Sequence, residues 1–173
     1  MGVLRLVLVW LLLALPASAQ QTSPPVLIID SERIFAETLY GQRIDRDLNA
    51  QAEDLQAEND RIVESLTLEE RSLTIRRPEM TPEEFRAESS AFDTKVQEVR
   101  RIRDAKLVEL QLAGAEARSE FERRVQGIIA NIMIDRGAAI VMEQRNVILS
   151  VRAANITDDA IVRIDAELGD GAQ

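Results

Sequence analysis

Between Gln42 and Asp135 the chain has proline at only two positions, 78 and 82, and on either side apolar residues recur at helical spacing. That pattern leaves few folds open. From Gln42 to Arg77, Leu48, Ala52, Leu55, Asn59, Ile62, Leu66 and Leu73 follow at steps of three and four, with Glu69 filling the one gap. Charged residues take the other faces, so this is a heptad-like seam on a solvated helix. Thirty-six residues of helix extend about 54 Å. A single compact core has no use for an element of that length.

Pro78 stops the first helix, and Thr81-Pro82-Glu83-Glu84 starts a second. Thr81 is placed to accept from the N3 amide and Glu84 to reach back, which completes a capping box, and Pro82 suits the first helical position. Residues 77–81 are therefore the predicted tip of a hairpin. The second helix is expected from Pro82 to Asp135, about 80 Å long. Its stripe is Phe85, Phe92, Val96, Val99, Leu107, Leu110, Ala117, Phe121, Val125, Ile128 and Ile132, and an i,i+4 pair is expected between Glu120 and Arg124. A short link between two long helices makes them antiparallel.

The ends of the chain read differently. Val26 to Ile29 is a continuous, β-branched apolar run expected as a buried strand, and Asp30 or Ser31 caps a short helix to Thr38, with Gly41 as punctuation. After Gly137, the runs Ala139 to Met142 and Val147 to Val151 flank Glu143-Gln144-Arg145-Asn146, which predicts a β-hairpin. Thr157 is the expected cap of a last helix, with Asp158 and Asp159 on its dipole and Gly169 at its end. The organisation is thus a mainly α chain with a small β-body: residues 20–41 and 137–173 form the body, and 42–136 form the projecting hairpin. Three short strands with one small helix make a poor core and leave sheet edges open. Oligomerisation through the body resolves both problems.

The first residues are an address. Arg5, the apolar run Leu6 to Leu15, Pro16 and Ala17-Ser18-Ala19 form a secretory signal with cleavage expected near Ala19. Ten apolar residues are too few to span a bilayer, which takes roughly 20. No later apolar run is long enough to insert stably in a membrane. Removing residues 1–19 takes away Arg5 and leaves 20 basic against 30 acidic residues, a charge of −10. Such a surface repels nucleic acid at long range.

Chemistry is sparse. The absence of His and Cys rules out the usual zinc sites, thiol or imidazole nucleophiles and proton shuttles. No glycine-rich phosphate loop appears, no cofactor or metal site can be assembled, and the carboxylates fall on solvated helix faces, so an enzyme is not expected. Two arginine groups interrupt the acidic background: Arg71, Arg76, Arg77 and Arg86 near the tip, and Arg100, Arg101 and Arg103 further along. They suit either a contact patch for acidic client segments or lipid head groups, or pairing with the interleaved Glu69, Glu70, Glu83, Glu98 and Asp104, and the interleaving favours pairing. Met80 and Phe85 at the tip, with Leu73, Ile75 and Phe92 below, are hard to satisfy between only two helices and are the candidate residues for contact with a partner.

Val26-Leu27-Ile28-Ile29-Asp30, a short helix and a Gly before a long charged helix resemble the start of Skp/OmpH chaperones. Ala139-Ile140-Val141-Met142, Asn146-Val147-Ile148-Leu149 and Asn155-Ile156-Thr157-Asp158 resemble their closing segment, with Asn155 where that family usually has Asp. The resemblance covers nearly all of the chain after the signal. It implies a periplasmic homotrimer whose helical tentacles enclose unfolded outer-membrane proteins without ATP. One departure is plain: well-known members are basic, and this chain is acidic, so charge-steered clients and binding to lipopolysaccharide do not carry over. A structural or tethering coiled-coil protein of the envelope is the alternative from another class.

Overall fold

The computed structural model describes residues 25–172. The expected signal and its cleavage point lie outside the described residues. The elements are strand β1 (Val26–Ile29), helix α1 (Ser31–Glu37), helix α2 (Leu39–Arg76), helix α3 (Pro82–Asp135), strand β2 (Ile140–Glu143) and helix α4 (Thr157–Leu168). Asp30 caps α1 by accepting from the Arg33 amide, as its position before the helix predicts.

The break between α1 and α2 falls at Thr38, not at Gly41. Thr38 is fully buried, and its hydroxyl accepts from the Gly41 amide at 3.3 Å to cap α2. Gly41 lies inside the first turn of α2. A Cβ there would stand 1.8 Å from the Phe35 carbonyl oxygen, so the glycine lets α1 turn back closely onto α2.

The two long helices are antiparallel arms joined by a single 3-10 turn over Arg77–Glu79. The tip forms as its sequence dictates: the Glu84 amide donates to Thr81 Oγ1 at 3.3 Å, and the Thr81 amide donates to Glu84 Oε2 at 2.8 Å. The Thr81 amide first, and then the Thr81 hydroxyl, which donates to the same Glu84 oxygen at 2.9 Å, hold the Glu84 carboxyl below the ordinary carboxylate range. At the far end Gly137, in the left-handed region with φ of 60°, terminates α3.

The sheet has two strands rather than the expected three. β1 and β2 pair in parallel, Val26 opposite Ile140 through Ile29 opposite Glu143, and Asn155 bridges to Ile28 on the other side of β1. Residues 147–151 form no strand. A 3-10 turn at Gln144–Asn146 carries the chain off the β2 axis, and Ile148 and Leu149 are 97% and 90% exposed. β-branched residues favour a strand only where a neighbouring edge receives them, and among the described residues none pairs with this segment.

One core closes this end of the molecule. Leu27, Ile29, Ile34, Phe35, Tyr40, Ile44, Phe121, Val125, Ile128, Ile132, Ile156, Ala160 and Ile164 form a single buried cluster. Phe121 meets Phe35 edge-on at 5.0 Å and Tyr40 at 5.3 Å. The cluster thus takes residues up to Ile44 on α2 and from Phe121 on α3, Leu48 and Ala117 pack against its edge, and Arg118 reaches back over the Phe35 ring to meet Glu32 of α1 at 2.8 Å.

Candidate functional site

The surface that a partner can reach is set by how the arms are registered. Three ion pairs cross between them: Arg76 with Glu88 at 2.7 Å, Lys95 with Glu69, and Lys106 with Glu58 at 2.6 Å. Going from the tip toward the body, both arms advance by seven residues (76 to 69, 88 to 95) and then by eleven (69 to 58, 95 to 106). Seven and eleven residues are close to two and three whole turns, so the pairs stack along one edge of the hairpin. All are substantially exposed and fix register more than they add stability.

The seam between the arms is uneven. Leu48, Leu55, Ile62 and Leu66 are half-buried and Leu73 is buried, whereas Ala52 is exposed. On α3 the expected Leu107 is 44% exposed. Asn59, Ile62, Val99, Ile102, Arg103 and Lys106 instead share a cleft of about 170 Å³ midway along the arms. The step from Val99 to Leu107 is eight residues, which drifts off the face. The helical face itself continues through Arg103 and Lys106.

The five candidate contact residues are not equivalent. Leu73 is buried and offers little surface, while Ile75 is 75% exposed. Met80, Phe85 and Phe92 are half-buried. Met80 and Phe85 share a shallow concavity at the tip with Arg77, Pro78 and Pro82, and the Arg77 guanidinium lies 5.0 Å from the centre of the Phe85 ring. Other apolar residues that the sequence reading did not single out are scattered along the arms: Val63, Leu68, Val108 and Leu112 are 55–65% exposed. Val108 and Leu112, one turn apart, share the outer face of α3. Their signal lay off the seam, among charged neighbours.

Four of the seven arginines in the two groups, Arg76 among them, meet nearby acids, and among the described residues Arg71, Arg77 and Arg100 form no ion pair. Arg101 meets Glu98 at 2.6 Å, Arg103 meets Asp104 at 3.7 Å and Arg86 meets Glu83 at 3.9 Å. Glu98 is held below the ordinary carboxylate range by the hydrogen bond from Arg101. Glu120 pairs with Arg123 at 2.5 Å rather than with Arg124, which turns inward to the Gly171 carbonyl oxygen. The body carries a larger open cleft of about 730 Å³, between α1, α3 and β2, lined by residues including Ser31, Phe35, Arg118, Met142 and Glu143. Across its mouth the Ser31 hydroxyl donates to Glu143. Among the described residues no acidic group is arranged to hold a metal ion, and no helix is long and apolar enough to cross a membrane.

The family model for OmpH-like outer membrane proteins matches residues 25–164, from β1 through most of α4. The chain belongs to the OmpH-like family. The crystal structure of an OmpH-like candidate outer membrane chaperone from Caulobacter crescentus CB15 superposes on this OmpH-like chain with a TM-score of 0.81 at 18% identity, covering 91% of this chain and 93% of that one. At that identity the match speaks to the fold, a long two-helix hairpin on a small mixed body. No protein with a curated description matches this OmpH-like chain.

Proposed function

We propose that this chain is an ATP-independent periplasmic holdase, a homotrimer joined through its body whose hairpins bind unfolded outer-membrane proteins and keep them from aggregating. One observation carries the reading. The arms extend well past the core, and their exposed apolar residues, Val63, Leu68, Ile75, Val108 and Leu112, are dispersed along their length rather than gathered in one pocket. That arrangement suits a chain that must be held without being recognised. Weak contacts repeated over three linked hairpins become intramolecular after the first, so avidity replaces any single strong site. Family membership supports the chaperone class, and the tip residues Ile75, Met80, Phe85 and Phe92 are the proposed first points of contact.

Suppression of aggregation of a urea-unfolded outer-membrane protein, diluted into buffer at low and moderate salt, tests the proposal. Substitution of Phe85 alone by Ala lowers holding slightly, and replacement of Ile75, Met80, Phe85 and Phe92 together by Ser lowers it more. Moderate salt leaves holding intact, because an acidic surface repels acidic clients and salt screens that repulsion. Absence of suppression at any ratio would leave the hairpin as a spacer between fixed envelope partners. Loss of holding on adding salt would assign binding to the arginines instead.

A further inference from the structure

The segment after α4 does not leave the body. Gly169 and Gly171 have φ of 55° and 74°, and these two turns fold residues 169–172 back on the molecule. The Gly171 amide donates to the Leu168 carbonyl at 2.9 Å, and the Ala172 amide to Asp170 Oδ1 at 3.0 Å. The returning backbone lies on the buried ring of Tyr40, so closely that a Cβ on Gly171 would sit 2.3 Å from the ring's Cδ2.

Two arginines, one from each arm, converge on that segment. Arg43 of α2 donates from Nε to the Asp170 carbonyl at 2.6 Å, and Arg124 of α3 donates from Nη1 to the Gly171 carbonyl at 3.1 Å. The same guanidiniums lie 5.4 and 5.0 Å from the centre of the Tyr40 ring. Adjacent carbonyls of one short segment thus join both arms where the common core gives way to the two-helix seam. The start of α2 is tied to α4 as well, through the Leu39 amide and Asp165 Oδ1 at 2.8 Å.

We propose that residues 169–172 are a strap that fixes the angle at which the hairpin leaves the body, with Tyr40, Arg43 and Arg124 as its seat. Seated, it closes the root of both arms and limits their swing. Its hold consists of two charge-assisted hydrogen bonds and a glycine contact, so it can lift without unfolding the core. The strap concerns the mechanics of the hairpin and stands whether or not the chain holds clients.

The chain has no cysteine, so introduced pairs report cleanly. Ser65→Cys on an arm and Val162→Cys on α4, spin-labelled and diluted with excess unlabelled chain, give a distance by pulsed electron resonance. The intact chain is expected to show one narrow distance. A chain lacking residues 169–173 and a Gly171→Val chain, whose side chain cannot seat against Tyr40, are expected to lose it for a broad distribution while keeping their helical circular dichroism. Gly127→Ala, with open space beside it, keeps the narrow distance. An unchanged width in the deleted chain overturns the strap. If the deletion fails to fold, an unchanged width in Gly171→Val, or in the milder Arg124→Gln, overturns it alone.

Discussion

Thr157 and Thr81 are each followed within three residues by a pair of acids, and they do different things. Thr81 caps its helix. Thr157 is fully buried, already helical, and its Oγ1 accepts from the Asp30 amide at 3.0 Å, tying the end of β1 to the start of α4. The expected cap is therefore corrected: the cap position is Ile156, and the Thr157 amide is taken by Asn155 Oδ1 at 2.9 Å. The distinction was legible in part. Thr81 has Pro at N1 and Glu at N3, whereas three residues after Thr157 stands Ala160, which has no side chain to complete a box. What the sequence does not carry is a partner 127 residues away. Thr157→Val keeps the side chain's shape but strands the Asp30 amide, and is expected to destabilise the fold by about 1–3 kcal/mol in urea titrations. Thr157→Ser, which keeps the acceptor, is expected to lose less.

The arms were readable because each position along them answers to its neighbours three and four away. That rule holds from Leu48 to Leu73 except at Ala52, which is exposed, and where a polar residue takes a seam position. Asn59 is such a residue, half-buried between Leu55 and Ile62 and lining the mid-hairpin cleft beside Val99 and Ile102. Asn59→Leu restores the apolar heptad, and a stabilisation of about 1 kcal/mol is expected from the added apolar burial, read as a raised Tm. Strand formation answers to a different kind of neighbour. Val26 to Ile29 finds β2, and Val147 to Val151, with equally good composition, pairs with no strand among the described residues. Local pattern gives propensity and leaves pairing open. The expected third strand fails for that reason, and the expected burial of Leu107 for the related one that an eight-residue step loses the helical face. The proposed contact residues were legible only as apolar positions near the tip. Whether each faces solvent depends on the rotation of one arm against the other, which three ion pairs set and no local pattern encodes.

At the scale of the molecule, an acidic two-helix hairpin rests on a body with a nearly bare apolar segment, Ile148, Leu149 and Val151, and an open cleft on the same body. A monomer rarely leaves such residues in water, and their burial between protomers is the proposed basis of assembly. Ile148→Lys with Leu149→Lys is expected to yield monomers by analytical ultracentrifugation with helical content unchanged. A trimer that survives both substitutions would place the contact along the hairpins. The register of those hairpins has a further consequence, for descent. Because the ion pairs step by seven and eleven residues on both arms, removal of the eleven residues 58–68 must be met by loss of the eleven residues 96–106, which leaves Glu69 opposite Lys95. A deletion in one arm alone puts every layer on the tip side out of step. Lineages of such a chain can therefore lengthen or shorten their reach only in mirrored increments, about 10 or 16 Å at a time, and the two arms inherit their length as one character.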